Sequence, residues 1–117
     1  MNANRIRYRQ FIDAYLECAL WASTDFEGES LDLYEFAPEA EAQLIEDANE
    51  FWAAHWQEIR DNPSQAGHDF WLTRCGHGAG FWDGDWPPEL GRKLTEAAHV
   101  WRSCDLYVGD DGLVHVL

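Results

Sequence analysis

The chain has 117 residues, 46% of them apolar and 15% aromatic, with seven Trp. That length supports a single domain, 1–117, with its own core, and that composition separates it from disordered sequences. Eight Lys and Arg stand against 22 Asp and Glu, a net charge of −14, which disfavours direct contact with nucleic acid or anionic membrane and favours basic partners.

Over residues 5 to about 21, Tyr8, Phe11, Ile12, Tyr15, Leu16, Ala19 and Leu20 recur at steps of three and four, the helical period. Arg5, Arg7 and Arg9 crowd the start of this first helix, where the dipole disfavours cations, so they are expected to pair with the acidic segment that follows. Residues 23–36 break the period, carry five acids and a Gly, and read as a loop with one short turn or strand at 31–34. Pro38, with Glu39 and Glu41 close behind it, opens a second helix, because Pro suits the first helical position and acids suit the positive end of the dipole. Its buried stripe is Leu44, Ile45, Ala48, Phe51, Trp52, His55 and Ile59, and it ends near Asn62 and Pro63. Between Asp25 and Asp61 twelve acids face one basic residue, Arg60. A single-signed field therefore covers this loop and the outer side of helix two.

After a linker over 63–67, residues 68–74 set Phe70 and Leu72 against Trp71 and Thr73, a two-residue alternation that predicts a strand. Gly76, Gly78 and Gly80 permit a tight turn, and Phe81 and Trp82 begin the return strand of a hairpin that ends at 83–85. A third helix opens at Pro87, Pro88 and Glu89 with the stripe Leu90, Leu94, Ala97, Ala98 and Trp101. Strands at 105–108 and 113–117 flank Gly109-Asp110-Asp111-Gly112, a second hairpin. The expected fold is α+β, a small antiparallel sheet of two hairpins packed with about three helices.

The run 66–86, AGHDFWLTRCGHGAGFWDGDW, concentrates the chemistry. His68, Asp69, His77, Asp83 and Asp85 could converge at one end of the predicted hairpin as metal ligands or an acid and base pair, with Cys75 as a further ligand. Their spacing matches no standard site, so a hydrogen-bonded structural turn is the favoured account, and neither a metal, a cofactor nor a catalytic residue is assigned. Trp71, Phe81, Trp82 and Trp86 with Arg74 supply the residue types of interface hot spots, although core packing is expected to claim at least two of the rings. Cys18, Cys75 and Cys104 are odd in number and lack CxxC spacing, which points to reduced thiols. Cys18 and Cys104 read as small buried hydrophobes, and an acidic protein is a poor host for a low-pKa cysteine. Residues 1–15 lack the apolar core of a signal peptide, and no apolar run approaches the ~18–20 residues of a membrane span. A cytosolic protein is expected.

The run GHDFWLTRCGHGAGFWDGDW resembles a motif of small uncharacterised proteins of tailed bacteriophages and prophages, of which a close form carries Asn in place of Cys75 and Arg in place of Gly84. The similarity continues more weakly through ECALWASTDFEG, LDLYEFAPEA and DLYVGDDG. The resemblance implies a phage-encoded protein acting in a bacterial host cytoplasm. It brings no catalytic residues with it.

Two classes of function follow. In the first, the acids Glu27, Glu29, Asp32, Glu35, Glu39, Glu46, Asp47 and Glu50 form a face that docks on a basic, nucleic-acid-binding host protein and inhibits it, as a DNA mimic would. The phage context makes a CRISPR complex or restriction enzyme the natural target. In the second, the histidines and carboxylates of 68–85 serve a small metal-binding protein or enzyme, and a phage accessory role is a third possibility.

Overall fold

The structure, a computed structural model, describes residues 3–117. Four α-helices, α1 (Ala3–Trp21), α2 (Pro38–Ile59), α3 (Pro63–Arg74) and α4 (Pro88–Ala98), precede strands β1 (Leu106–Val108) and β2 (Val114–Val116). A single 3-10 turn, Leu31–Leu33, fills the place between α1 and α2. The class is α+β, with one hairpin where two were expected and four helices where three were. Among the described residues no helix is long and apolar enough to cross a membrane.

Helix α1 buries Phe11, Ile12, Ala14, Tyr15, Cys18 and Ala19, a stripe at three- and four-residue steps that turns one face inward. Its C-terminal end is closed from outside the helix: the Ser30 hydroxyl donates to the carbonyl of Trp21 at 3.0 Å, satisfying an acceptor that the helix leaves open. In α2 the inward side chains are Ala40, Leu44, Ala48, Phe51 and Ile59, as the period predicts. Pro38 and Pro88 both stand in the first turns of their helices, each with acids beside them.

Residues 68–74 are helix and not strand. Pro63 opens α3, and Gly76, at φ +72°, follows its end, so the segment carries ordinary start and stop signals of a helix. Its alternation misleads because the helix is enclosed on most sides: Ala66, Gly67, Asp69, Phe70, Trp71, Thr73 and Arg74 are all buried. Only the side bearing Ser64, Gln65, His68 and Leu72 is left partly open, and a helix covered so widely has no narrow apolar stripe to betray its period. The close approach that encloses it is made at Gly67, where a Cβ would stand 2.3 Å from the Phe11 carbonyl oxygen and 2.9 Å from the Tyr15 nitrogen. Only the absence of a side chain lets α1 and α3 cross this tightly.

The core is a stack of rings. Phe51 lies 4.2 Å from Phe70 and 5.8 Å from Phe81 between centroids, both nearly parallel. Trp101 meets Phe51 and Phe70 edge-on, although it sits beyond the end of α4 and not on its stripe. The predicted return strand does not form; Phe81 instead turns into the core from an irregular segment, its N–H bonded to the Thr73 hydroxyl at 3.2 Å.

β1 and β2 pair antiparallel with Leu106 opposite Val116, Tyr107 opposite His115 and Val108 opposite Val114. Val114 also pairs with the segment before α2, accepting from the N–H of Ala37 and donating to the carbonyl of Glu35, each at 2.8 Å. The hairpin thereby braces the loop that carries the acids.

Candidate functional site

The region from 22 to 50 carries two of the most exposed large apolar side chains among the described residues, Phe26 and Leu33, together with a run of exposed acids. A short antiparallel bridge, Thr24 with Ser30, frames a turn in which the Asp25 carboxylate accepts from the backbone N–H groups of Glu27 and Glu29 at 2.9 and 3.0 Å. An Asp side chain bonded this way preorganises a turn. Gly28, at φ +85°, completes it. The turn holds Phe26 at its tip, 97% exposed, and the following 3-10 turn leaves Leu33 93% exposed. Its neighbour Leu31 is fully buried and pins the loop to the core.

Around these two apolar side chains, Glu27, Glu29, Asp32 and Glu35 are exposed. Glu39, Glu46 and Glu50 are exposed on α2, and at about 100° per residue they fall on one strip opposite the buried side chains. Among the described residues none of these seven joins an ion pair. Asp47 differs from them. Its carboxylate turns inward to Arg74 at 2.9 Å, so it belongs to the core and not to the acidic face. Arg5, Arg7 and Arg9, expected to pair with the acidic segment, enter no ion pair among the described residues.

The residues of 68–85 disperse to four places. His68 lies against Trp21, 6.2 Å between rings, and faces a cleft shared with Glu17 and Asp32. His77 faces a different cleft with Cys75 and Cys104. Trp71 and Arg74 are core. Arg74 donates to the Tyr15 hydroxyl at 2.8 Å, to Asp47, and twice to the carbonyl of Arg102. Burial works against its charge, but the Tyr15 oxygen and the Asp47 carboxylate outweigh that and raise its pKa. Burial in turn raises Tyr15. Of the four rings offered as a platform, Trp71, Phe81 and Trp86 are buried and Trp82 alone is on the surface, 46% exposed.

Asp69, Asp83 and Asp85 do come together, with ligand atoms within 4.8 Å of one another. Asp69 is buried and accepts from Trp86 Nε1 at 2.7 Å and from Gln65 Nε2 at 3.0 Å. Burial raises its pKa, and the hydrogen bonds from Trp86 and Gln65 only partly oppose that. Asp85 is raised by sharing a hydrogen bond with Asp83. Three oxygens at this spacing can gather a hard cation or share a proton.

The sequence reading missed Phe26 and Leu33. Their signal was present, since two large apolar side chains in a stretch of five acids have no partners of helical or strand period. It also placed Cys104 among buried hydrophobes, whereas Cys104 lines a cleft with Cys75. No family model matches the chain. No curated protein and no solved structure matches it either.

Proposed function

We propose that the protein binds a basic, nucleic-acid-binding protein of a bacterial host through its acidic face and inhibits it, occupying the nucleic-acid site as a DNA mimic does. The observation that carries this reading is the union of unpaired exposed carboxylates with Phe26 and Leu33, presented almost bare on a preorganised loop. Exposed aromatic and aliphatic anchors bury into partner pockets and supply affinity. Surrounding charges of one sign steer the encounter and select for a basic partner. The phage setting, and with it a defence complex as target, is part of the same proposal and rests on the motif in 67–86.

The test is capture of host proteins on the tagged protein at low salt and at ~0.5 M salt, where exposed charges act over only a few ångströms. A DNA- or RNA-binding protein retained at low salt, released by added duplex DNA, and lost to Glu39→Lys/Glu46→Lys/Glu50→Lys supports inhibition by the acidic face. A partner indifferent to salt, duplex and charge reversal overturns it.

A second reading is favoured by the convergence of Asp69, Asp83 and Asp85: a hard divalent cation held between α3 and the segment that follows it. Calorimetric titration with Ca²⁺, Mg²⁺ and Mn²⁺ tests it. Saturable binding abolished by Asp83→Asn/Asp85→Asn supports the reading, and heats no larger than dilution sink it.

A further inference from the structure

Beside the C-terminal end of α3 lies a cleft of about 330 Å³, lined by Ser23, Trp71, Cys75, His77, Ser103 and Cys104 among others. Cys75 follows directly on Arg74, and Cys104 follows the Arg102 carbonyl to which Arg74 is tied by two hydrogen bonds. The buried guanidinium thus draws the two thiols to one wall of the cleft. Both are free.

Their surroundings are unequal. The Cys75 sulfur receives the Cys104 thiol first, then the Cys104 backbone N–H, with Arg74 and the Ser103 hydroxyl nearby; together these outweigh burial and lower its pKa to about 7. The Cys104 thiol is raised, chiefly because it donates to Cys75 and also by burial. Cys18, by contrast, is held up at about 12, chiefly by burial. A third feature is independent of the thiols: Trp71 also lines the cleft, is 1% exposed, and its indole N–H has no hydrogen-bond partner among the described residues. A buried donor left open is unfavourable, and an acceptor on a bound molecule would satisfy it.

We propose that this cleft is a thiol–disulfide exchange site for a small, uncharged disulfide bearing an oxygen acceptor, with Cys75 as the attacking thiolate, Cys104 as the resolving thiol and Trp71 as the donor that seats the ligand. The Cys75 thiolate attacks one sulfur of R–S–S–R, the S–S bond breaks, and RS⁻ leaves and takes a proton from water. The mixed disulfide Cys75–S–S–R removes the negative charge that kept Cys104 protonated. Cys104 then gives its proton to solvent and attacks the Cys75 sulfur, and the second RS⁻ departs and is protonated. The two protein thiols are oxidised to one disulfide while the small disulfide is reduced to two RSH. A net charge of −14 repels anionic disulfides, which is why an uncharged one is expected.

The test uses the whole protein with hydroxyethyl disulfide, sampled over time, quenched by alkylation under denaturing conditions and read by intact mass and peptide mapping. The expected product lacks two hydrogens, joins Cys75 to Cys104, and leaves Cys18 alone to be alkylated. Cys104→Ser should stop at a mixed disulfide on Cys75, Cys75→Ser should form no adduct, and the anionic glutathione disulfide should react several-fold more slowly. In the unaltered chain the rate of Cys75 alkylation should inflect near pH 7, against ~8.5 for an ordinary thiol. Equal oxidation in Cys75→Ser, a folded Cys104→Ser that forms no adduct, or reaction only in step with unfolding overturns the proposal.

Discussion

The α1–α3 crossing, at the middle of α1, and the 22–36 loop that follows its C-terminal end are built on opposite terms. At the crossing the chains are packed without slack: Gly67 has no room for a methyl group, and a buried arginine spends four of its five N–H donors on protein oxygens. In the loop, the Asp25 carboxylate fixes the chain through backbone N–H groups, while Phe26 and Leu33 are left exposed and Glu27, Glu29, Asp32 and Glu35 enter no ion pair among the described residues. The comparison separates residues that hold the fold from residues available for recognition, and substitutions should divide along the same line.

The largest loss is expected from Arg74→Met. It strands the half-buried Asp47 carboxylate, the Tyr15 hydroxyl and the Arg102 carbonyl, and removing one partner of such a pair costs about 3–5 kcal/mol. Urea unfolding at neutral pH measures it; a loss under ~1 kcal/mol would place Arg74 with the surface and break the comparison. Next comes Gly67→Ala, whose methyl meets backbone atoms that cannot swing aside, so the two helices must part, at the upper end of the about 1–3 kcal/mol that overpacking costs. Thermal melting reads that effect directly.

Asp69→Leu should be milder, about 1–3 kcal/mol, because it leaves the Trp86 indole N–H and the Gln65 amide without their acceptor. It also carries a pH signature. Burial raises the Asp69 pKa in the folded protein, so its contribution to stability is complete below the ordinary 3.8 and is lost as pH rises through the raised value. The deficit of the variant should therefore be greatest in acid and shrink toward neutrality, and unfolding curves at several pH values check the direction. Phe26→Ala stands last, within about 0.5 kcal/mol of the parent in stability. If that variant unfolds markedly earlier, Phe26 is a packing residue and the loop is no recognition surface; if it keeps its stability and loses the captured partner, the division sharpens.

Much of this division was legible in the residues. The steps of three and four in α1 and α2, the Pro and acid starts of α2 and α4, and Gly109 to Gly112 in the terminal hairpin each mark a local preference that the fold respects. Helix α3 was not legible by period, since Phe70, Trp71 and Thr73 are all buried and burial on most sides blurs the contrast from which a period is read. Pro63 and Gly76 did mark its ends, and boundary chemistry was the better guide there than alternation. The candidate sites were legible in part. Seven of the eight acids are exposed as charge alone suggests, but Asp47 faces inward because of Arg74, 27 residues away in sequence, and no local pattern reports such a partner. The approach of Cys104 to Cys75 is hidden for the same reason.

The brace between Val114 and residues 35–37 has a kinetic consequence. Pairing across so much of the chain closes late in folding, after the helices have found each other, because long-range contacts must first overcome the entropy of the intervening loop. The same few hydrogen bonds are then among the first to open in the native protein. Amide exchange should find Ala37 and Val114 trading their hydrogens well before the buried turns of α1 and α3, through excursions in which the terminal hairpin lifts away and the acidic loop loses its support while the aromatic stack stays closed.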